Sequence, residues 1–247
     1  MSDTQFVSRA LPLDGLEIPG PGLAHLWFLD LAGLASPISN AGERLTPRQE
    51  RTSRRFYLRL LLGAYLGIPG KDVRISRLVR GKPVLDASVH GKVLDFSSAG
   101  SNGCCLIGIT SQGQIGVDLE DEGRRAHRPM GLVHRYFSPA EKMALDPVSP
   151  ESIHARFIHA WSCKEAVVKA AGLGIANQLC RFTVEVDPAK RPAVLEIEGD
   201  EPGNWQLAMV RPRPGFLGAV AMRHSSLRLE GYHLVTASEK TPLSMAP

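Results

Sequence analysis

Phe157-Ile-His-Ala-Trp-Ser-Cys-Lys-Glu-Ala-Val-Val-Lys-Ala-Ala-Gly172 is the stretch on which the rest of this 247-residue chain turns. Its small and apolar residues (Ala160, Trp161, Ala166, Val167, Ala170, Ala171) recur at helical spacing, and Gly172 and Gly174 stand where a helix stops. With Ser149-Pro150 as a start, the spacing predicts one long helix. Glu165 and Lys169 are four apart and share a face. Alone they would be an ordinary exposed helix pair. Upstream, Ile115-Gly-Val-Asp-Leu-Glu120 reads as a strand, and a period of two puts Asp118 and Glu120 on the same side. Two carboxylates from a strand and one from a helix form a hard-oxygen set. That set suits Mg²⁺, which binds through a few carboxylates, water and substrate phosphates.

Gly116-Val-Asp-Leu-Glu120, followed about 40 residues later by Trp161-Ser-Cys-Lys-Glu165 and Lys169, resembles the paired signature of the Sfp-type 4′-phosphopantetheinyl transferases. The resemblance implies transfer of the 4′-phosphopantetheine arm of coenzyme A to a serine of a small, acidic apo acyl or peptidyl carrier protein. Adenosine 3′,5′-bisphosphate would be released. It implies Mg²⁺ held by Asp118, Glu120 and Glu165, with Asp118 and Lys169 also at the coenzyme A phosphates and Glu165 as base for the serine proton. Lys164, on another side of the helix, would meet the pantetheine arm or the partner. The implied fold is α+β, two similar αβ halves related by pseudo-twofold symmetry. The element order places the junction near 111–115. Residues 1–112 would carry the coenzyme A contacts, and residues 113–247 the carboxylates and the long helix. The alternative is a degenerate homologue that binds carrier protein or coenzyme A with little turnover.

Further out, Thr46 and Pro47 open a helix that runs to about Leu66 and whose apolar second half must be buried. Arg48, Arg51, Arg55 and Arg59 fall at three- and four-residue spacing, a basic stripe suited to gripping phosphate. Arg55-Phe-Tyr-Leu-Arg59 resembles the family's R-x-x-L-R stretch, which implies a coenzyme A contact for Arg55. A strand over 73–79 leads into the turn Arg80-Gly-Lys-Pro83. The family carries G-K-P here, which implies that Arg80, Gly81 and Lys82 lie near the phosphates or adenine. In Asp95-Phe-Ser-Ser-Ala-Gly-Ser101 the chain departs from the family's F-N-x-S-H-S. Ser97 stands for the Asn, Ala99 for the Ser, and Gly100 for the histidine that helps hold the 3′-phosphate end of coenzyme A. The stretch reads as a Gly/Ser loop whose N–H groups, with Ser97, Ser98 and Ser101, cradle phosphate.

The 29 basic and 25 acidic residues leave a net charge of +4, which fits an acidic partner. No nucleic-acid-binding motif or aromatic interleaving accompanies it. Cys104, Cys105, Cys163 and Cys180 form no C-x-x-C pair, which argues against a zinc site or a disulfide framework. No basic leader with an apolar core and no run of about 18 apolar residues is present. The expectation is a cytoplasmic, monomeric enzyme of secondary metabolite biosynthesis that binds no membrane. Residues 1–22 read as irregular, residues 23–29 as the first strand, and 122–128 as a solvated charged loop. Ser138-Pro-Ala-Glu141 reads as a capping box. Four strands over 182–186, 193–198, 205–211 and 216–223 read as an antiparallel meander before a tail that is loose apart from Tyr232–Val235.

Overall fold

The computed structural model describes residues 4–13, 15–124, 129–174 and 178–236. The end of the charged 122–128 loop and the tail after 236 lie outside the described residues. In chain order the elements are β1 (Phe6–Ala10), β2 (Leu23–Asp30), α1 (Pro47–Leu66), β3 (Ile75–Arg77), β4 (Pro83–Leu85), α2 (Ala87–His90), β5 (Asp95–Ser101), β6 (Cys104–Thr110) and β7 (Gln114–Asp121). They continue with α3 (Pro129–Tyr136), α4 (Pro139–Leu145), α5 (Pro150–Ala171), β8 (Phe182–Val184), β9 (Val194–Ile197), β10 (Trp205–Val210), β11 (Phe216–Arg223) and β12 (Arg228–Val235).

Local chemistry sets the helix ends. The Thr46 hydroxyl accepts from the Gln49 N–H while the Gln49 side chain accepts from the Thr46 N–H, and Gly67 closes α1 at φ 66°. Ser138 and Glu141 form the same box on α4. Gly172, at φ 67°, ends α5.

Period-two alternation sends the strands' side chains to the two faces of each of two packed sheets. Trp27 and Leu29 of β2 and Cys105, Ile107 and Ile109 of β6 pack with Tyr57, Leu61 and Leu62 of α1. Their neighbours Leu26, Phe28 and Leu106 turn the other way, onto Val117, Leu119, Val220 and Met222 of a second sheet. The far face of that sheet, with Leu217, Ala219 and Ala221, packs with Cys163, Ala166 and Ala170 of α5. The layers therefore run α1, first sheet, second sheet, α5, and the molecule is α+β.

The two halves repeat one topology. A strand (β2 or β7) leads to a helix (α1 or α5), then a short hairpin (β3–β4 or β8–β9), then two strands (β5, β6 or β10, β11). In each half the last strand lies between the other two, antiparallel to both: β2-β6-β5 and β7-β11-β10.

Four features differ from the sequence reading. Residues 6–10 are not irregular: β1 pairs in parallel with β12, which pairs in parallel with β2, so the last strand sits inside the first sheet. The strand expected over 73–79 shrinks to β3. The four strands after α5 are not one meander, because β8 and β9 form a two-stranded sheet of their own while β10 and β11 extend β7. Asp95–Ser101 is a strand rather than a loop, and its polar residues have a structural use. The edges β5 and β7 meet side by side. Asp95 Oδ2 accepts from the Ile115 N–H (2.8 Å), Ser97 Oγ from the Val117 N–H (3.1 Å) and Ser101 Oγ from the Asp121 N–H (3.2 Å). Alternate side chains of one edge thus replace the carbonyls that a neighbouring strand would offer the other.

Candidate active site

The site sits where β7 and α5 touch. Gly116 permits that contact: a Cβ there would stand 1.9 Å from the Ala166 carbonyl oxygen and 2.4 Å from the Ala170 nitrogen. With backbone against backbone, the next side chain on the same strand face, Asp118, reaches one turn of α5. Lys169 Nζ donates to Asp118 Oδ1 at 2.7 Å and lies 3.4 Å from Glu165 Oε2. Asp118 and Glu165 are both buried, and Asp118 Oδ2 is sealed from solvent with no hydrogen-bond partner. Glu120, two residues on, completes the acidic set.

Electrostatics mark the cluster as strained by charge. Burial, followed by the nearby Asp118 carboxylate, pushes Glu120 up to about 7, with Lys169 pulling the other way. Burial also raises Glu165, against the pull of Lys169. Lys169 is disfavoured by burial, but Asp118 and Glu165 hold its pKa above the usual lysine value. Asp118 and Glu165 share one ammonium, Glu120 lies within its field, and Asp118 Oδ2 has no hydrogen-bond partner. Hard carboxylate oxygens of this kind are the donors that a divalent ion takes. In the arrangement described, the Lys169 ammonium stands between Asp118 and Glu165. Among the described residues no three acidic, histidine or cysteine side chains converge into an ion cage.

Two clefts adjoin the cluster. One, about 220 Å³, is lined by Arg80, Gly81, Lys82, Ser98 and Lys169, with Ser97 at its wall. The second, about 460 Å³, is lined by Arg51, Arg54, Arg55, Arg59, Arg77 and Ser98. Ser98 and Pro83 line both, so the two are neighbours.

The 4′-phosphopantetheinyl transferase superfamily model matches residues 114–224, from β7 through β11. The 4′-phosphopantetheinyl transferase HetI of Nostoc sp. is 30% identical over 212 residues, covering 80% of this chain and 86% of that protein. The chain belongs to the 4′-phosphopantetheinyl transferase family. A 4′-phosphopantetheinyl transferase of Bacillus subtilis is 26% identical over 58% of this chain and 65% of its own length. A solved holo-(acyl-carrier-protein) synthase from Bacillus anthracis, in complex with CoA (3′,5′-ADP), matches with TM-score 0.37 and 20% identity over 46% of this chain and 96% of that one.

Within this phosphopantetheinyl transferase the structure brings Asp118, Glu120, Glu165 and Lys169 together, with Arg80, Gly81 and Ser98 beside them and Arg55 in the arginine cleft. Three residues are placed differently from the sequence reading. The Lys82 ammonium turns inward, donating to Asp95 Oδ2 (2.8 Å), the Ile115 carbonyl (3.1 Å) and the Ala170 carbonyl (3.3 Å). It ties the β3–β4 turn to both edge strands and α5, and only its stem faces the cleft. Ser97 is buried, and its oxygen is taken by the Val117 N–H. Lys164 does not reach outward. It is fully enclosed, 2.7 Å from both Glu141 oxygens and 2.8 Å from the Phe182 carbonyl, above the Phe182 ring. Burial lowers its pKa, and Glu141 opposes that shift.

The sequence reading missed Arg77, Arg54 and Asp95. Period two from Ile75 picks out Arg77, and spacings of three and four from Arg51 pick out Arg54 and Arg55. Arg48 lies outside the cleft lining. All four cysteines are free, and burial raises the thiols of Cys104, Cys105 and Cys163 to about 12, which removes them as nucleophiles. No helix among the described residues is long and apolar enough to cross a membrane.

Proposed function

We propose that this protein moves the 4′-phosphopantetheine arm of coenzyme A onto a serine of an apo acyl or peptidyl carrier protein, in the cytoplasm. The observation that carries the reading is the Asp118–Lys169–Glu165 contact at the mouth of a cationic cleft. The serine Oγ attacks the β-phosphorus of coenzyme A, the bond from that phosphorus to the bridging oxygen breaks, and adenosine 3′,5′-bisphosphate leaves. Such transfer is positioning plus charge neutralisation. Glu165, whose burial makes it a stronger base than a free carboxylate, takes the serine proton. Lys169 faces the charge on the phosphate. Asp118, Glu120 and Glu165 would hold Mg²⁺, which would supply further neutralisation of the pyrophosphate. Residues 1–112 furnish the arginine cleft and the Arg80–Lys82 turn, and residues 113–247 the acidic cluster.

Intact mass of an apo carrier protein, after incubation with this protein, coenzyme A and Mg²⁺, tests the reading. A gain of one phosphopantetheine arm is expected, with the rate falling about 100-fold or more in Glu165→Gln. No gain across acyl and peptidyl carriers would leave only a binding homologue. Full activity in Glu165→Gln would remove the carboxylate from the base role.

A further inference from the structure

A cavity of about 450 Å³ lies on the first sheet, within the size range of small-molecule sites. Arg9 of β1, Glu230 and Tyr232 of β12 and His25 of β2 line it, closed over by the segment 15–20 and Tyr65 of α1. None of these residues lines the two clefts beside the acidic cluster. The wall is held by its own hydrogen bonds. Trp27 Nε1 donates to the Tyr65 hydroxyl (2.9 Å), which bonds His25 Nδ1 (2.7 Å). On the other side of the ring, His25 Nε2 lies 3.4 Å from Glu230 Oε2, and the Tyr232 hydroxyl donates to that same oxygen at 2.6 Å. The covering segment is tied down as well, because the Ser111 hydroxyl donates to the Pro19 carbonyl and the Leu23 N–H to the Gly20 carbonyl at 3.1 Å. A cavity fixed in this way costs little further ordering when a ligand enters.

Both signs of charge line this wall. The Arg9 guanidinium stands over the Tyr232 ring, 5.4 Å from its centroid, and neither it nor Glu17 is in an ion pair among the described residues. Both contacts of Glu230 fall on one oxygen, and a carboxylate can accept about four hydrogen bonds, so capacity for a further donor remains. A simple cation would face Arg9, and a simple anion would face two carboxylates. A ligand bearing both charges satisfies both. Leu16, Ile18 and Leu23 supply an apolar side to the same cavity. We propose that this cavity binds a free α-amino acid with an apolar side chain, its carboxylate on Arg9, its ammonium on Glu230 and Glu17, and its side chain against Leu16, Ile18 and Leu23. The site is separate from that of the transfer reaction, and the proposal does not depend on that reaction.

Calorimetric titration of the full chain with L-leucine, L-methionine and L-phenylalanine tests this, beside two compounds that each lack one charge of leucine: isopentylamine and isocaproate. At least one of the amino acids should bind. For leucine the affinity should exceed that of either half-compound about 10-fold or more, the range of one charge-assisted hydrogen bond. Arg9→Gln, a change at an exposed side chain, should bring leucine down to the level of isopentylamine and leave the urea midpoint in place. Glu17→Gln/Glu230→Gln should bring it down to the level of isocaproate, with the amide oxygen at 230 still accepting from Tyr232. Saturating coenzyme A should leave leucine binding unchanged, and the Arg9 variant should modify carrier protein at the wild-type rate. Heat from none of the three amino acids overturns the proposal. So does an amine or an acid that binds as tightly as leucine, an Arg9→Gln variant with full leucine affinity, or displacement of leucine by coenzyme A.

Discussion

Lys164 shows how far one residue's surroundings can stand from its place in a motif. It directly precedes Glu165, yet it shares none of that residue's space. Its charge is compensated by Glu141 in a pocket closed to water, and Glu141 also accepts from the N–H groups of Ser138 and Val184. Removing one partner of such a pair leaves the other charge buried and unpaired. Lys164→Met is therefore expected to lower stability by about 3–5 kcal/mol while the transfer rate per folded molecule holds. Urea melts and rates corrected for the folded fraction would check this. A rate lost in step with no loss of stability would return Lys164 to the chemistry. The position was legible as helical but not as buried, since nothing local marks a lysine for the interior. The partner, 23 residues away, comes into reach only through packing.

Among the elements, the contact between β7 and α5 decides whether the site exists. Gly116 is the residue that lets the helix backbone approach. A methyl there meets a carbonyl oxygen, which cannot rotate away as a side-chain end can. Gly116→Ala is expected to cost about 3 kcal/mol, the upper part of the overpacking range. Even its folded fraction should be impaired, because Glu165 and Lys169 move away from Asp118. An Ala variant of wild-type stability and rate would show the approach to be looser than described. Both elements were readable from the sequence, since period two and period 3.6 are local signals. The strand β5 was not. Its Asp, Ser and Gly residues carry the composition of a loop because they serve the backbone of β7, a debt set by tertiary structure. The same misreading assigned Ser97 to a ligand.

For the whole molecule, β12 is the joint between the halves, with a buried imidazole beside it and a half-buried one on it. His25 of β2 bonds Tyr65 at 2.7 Å and lies 3.4 Å from Glu230, while His233 of β12 packs on Phe6 and Phe28. Burial lowers both pKa values, partly offset at His25 by Glu230 and reinforced at His233 by Arg213. The unfolded chain then binds more protons than the folded one just below pH 6.5, so this contribution is full above that pH and is lost as pH falls. The stability advantage of the wild type over a His25→Gln/His233→Gln variant should shrink between pH 7 and pH 5 in paired urea melts. A constant difference would mean that the rings titrate as in water. Pairing of β12 with two strands from the far end of the sequence could not be read in advance, because strand order across such a separation leaves no local pattern. It also orders events at birth. A ribosome releases β1 and β2 about 200 residues before Arg228, so the nascent first half waits with the hydrogen-bonding edge of β2 bare and β1 without a neighbour. Until the last strand emerges, that edge is open to any extended chain.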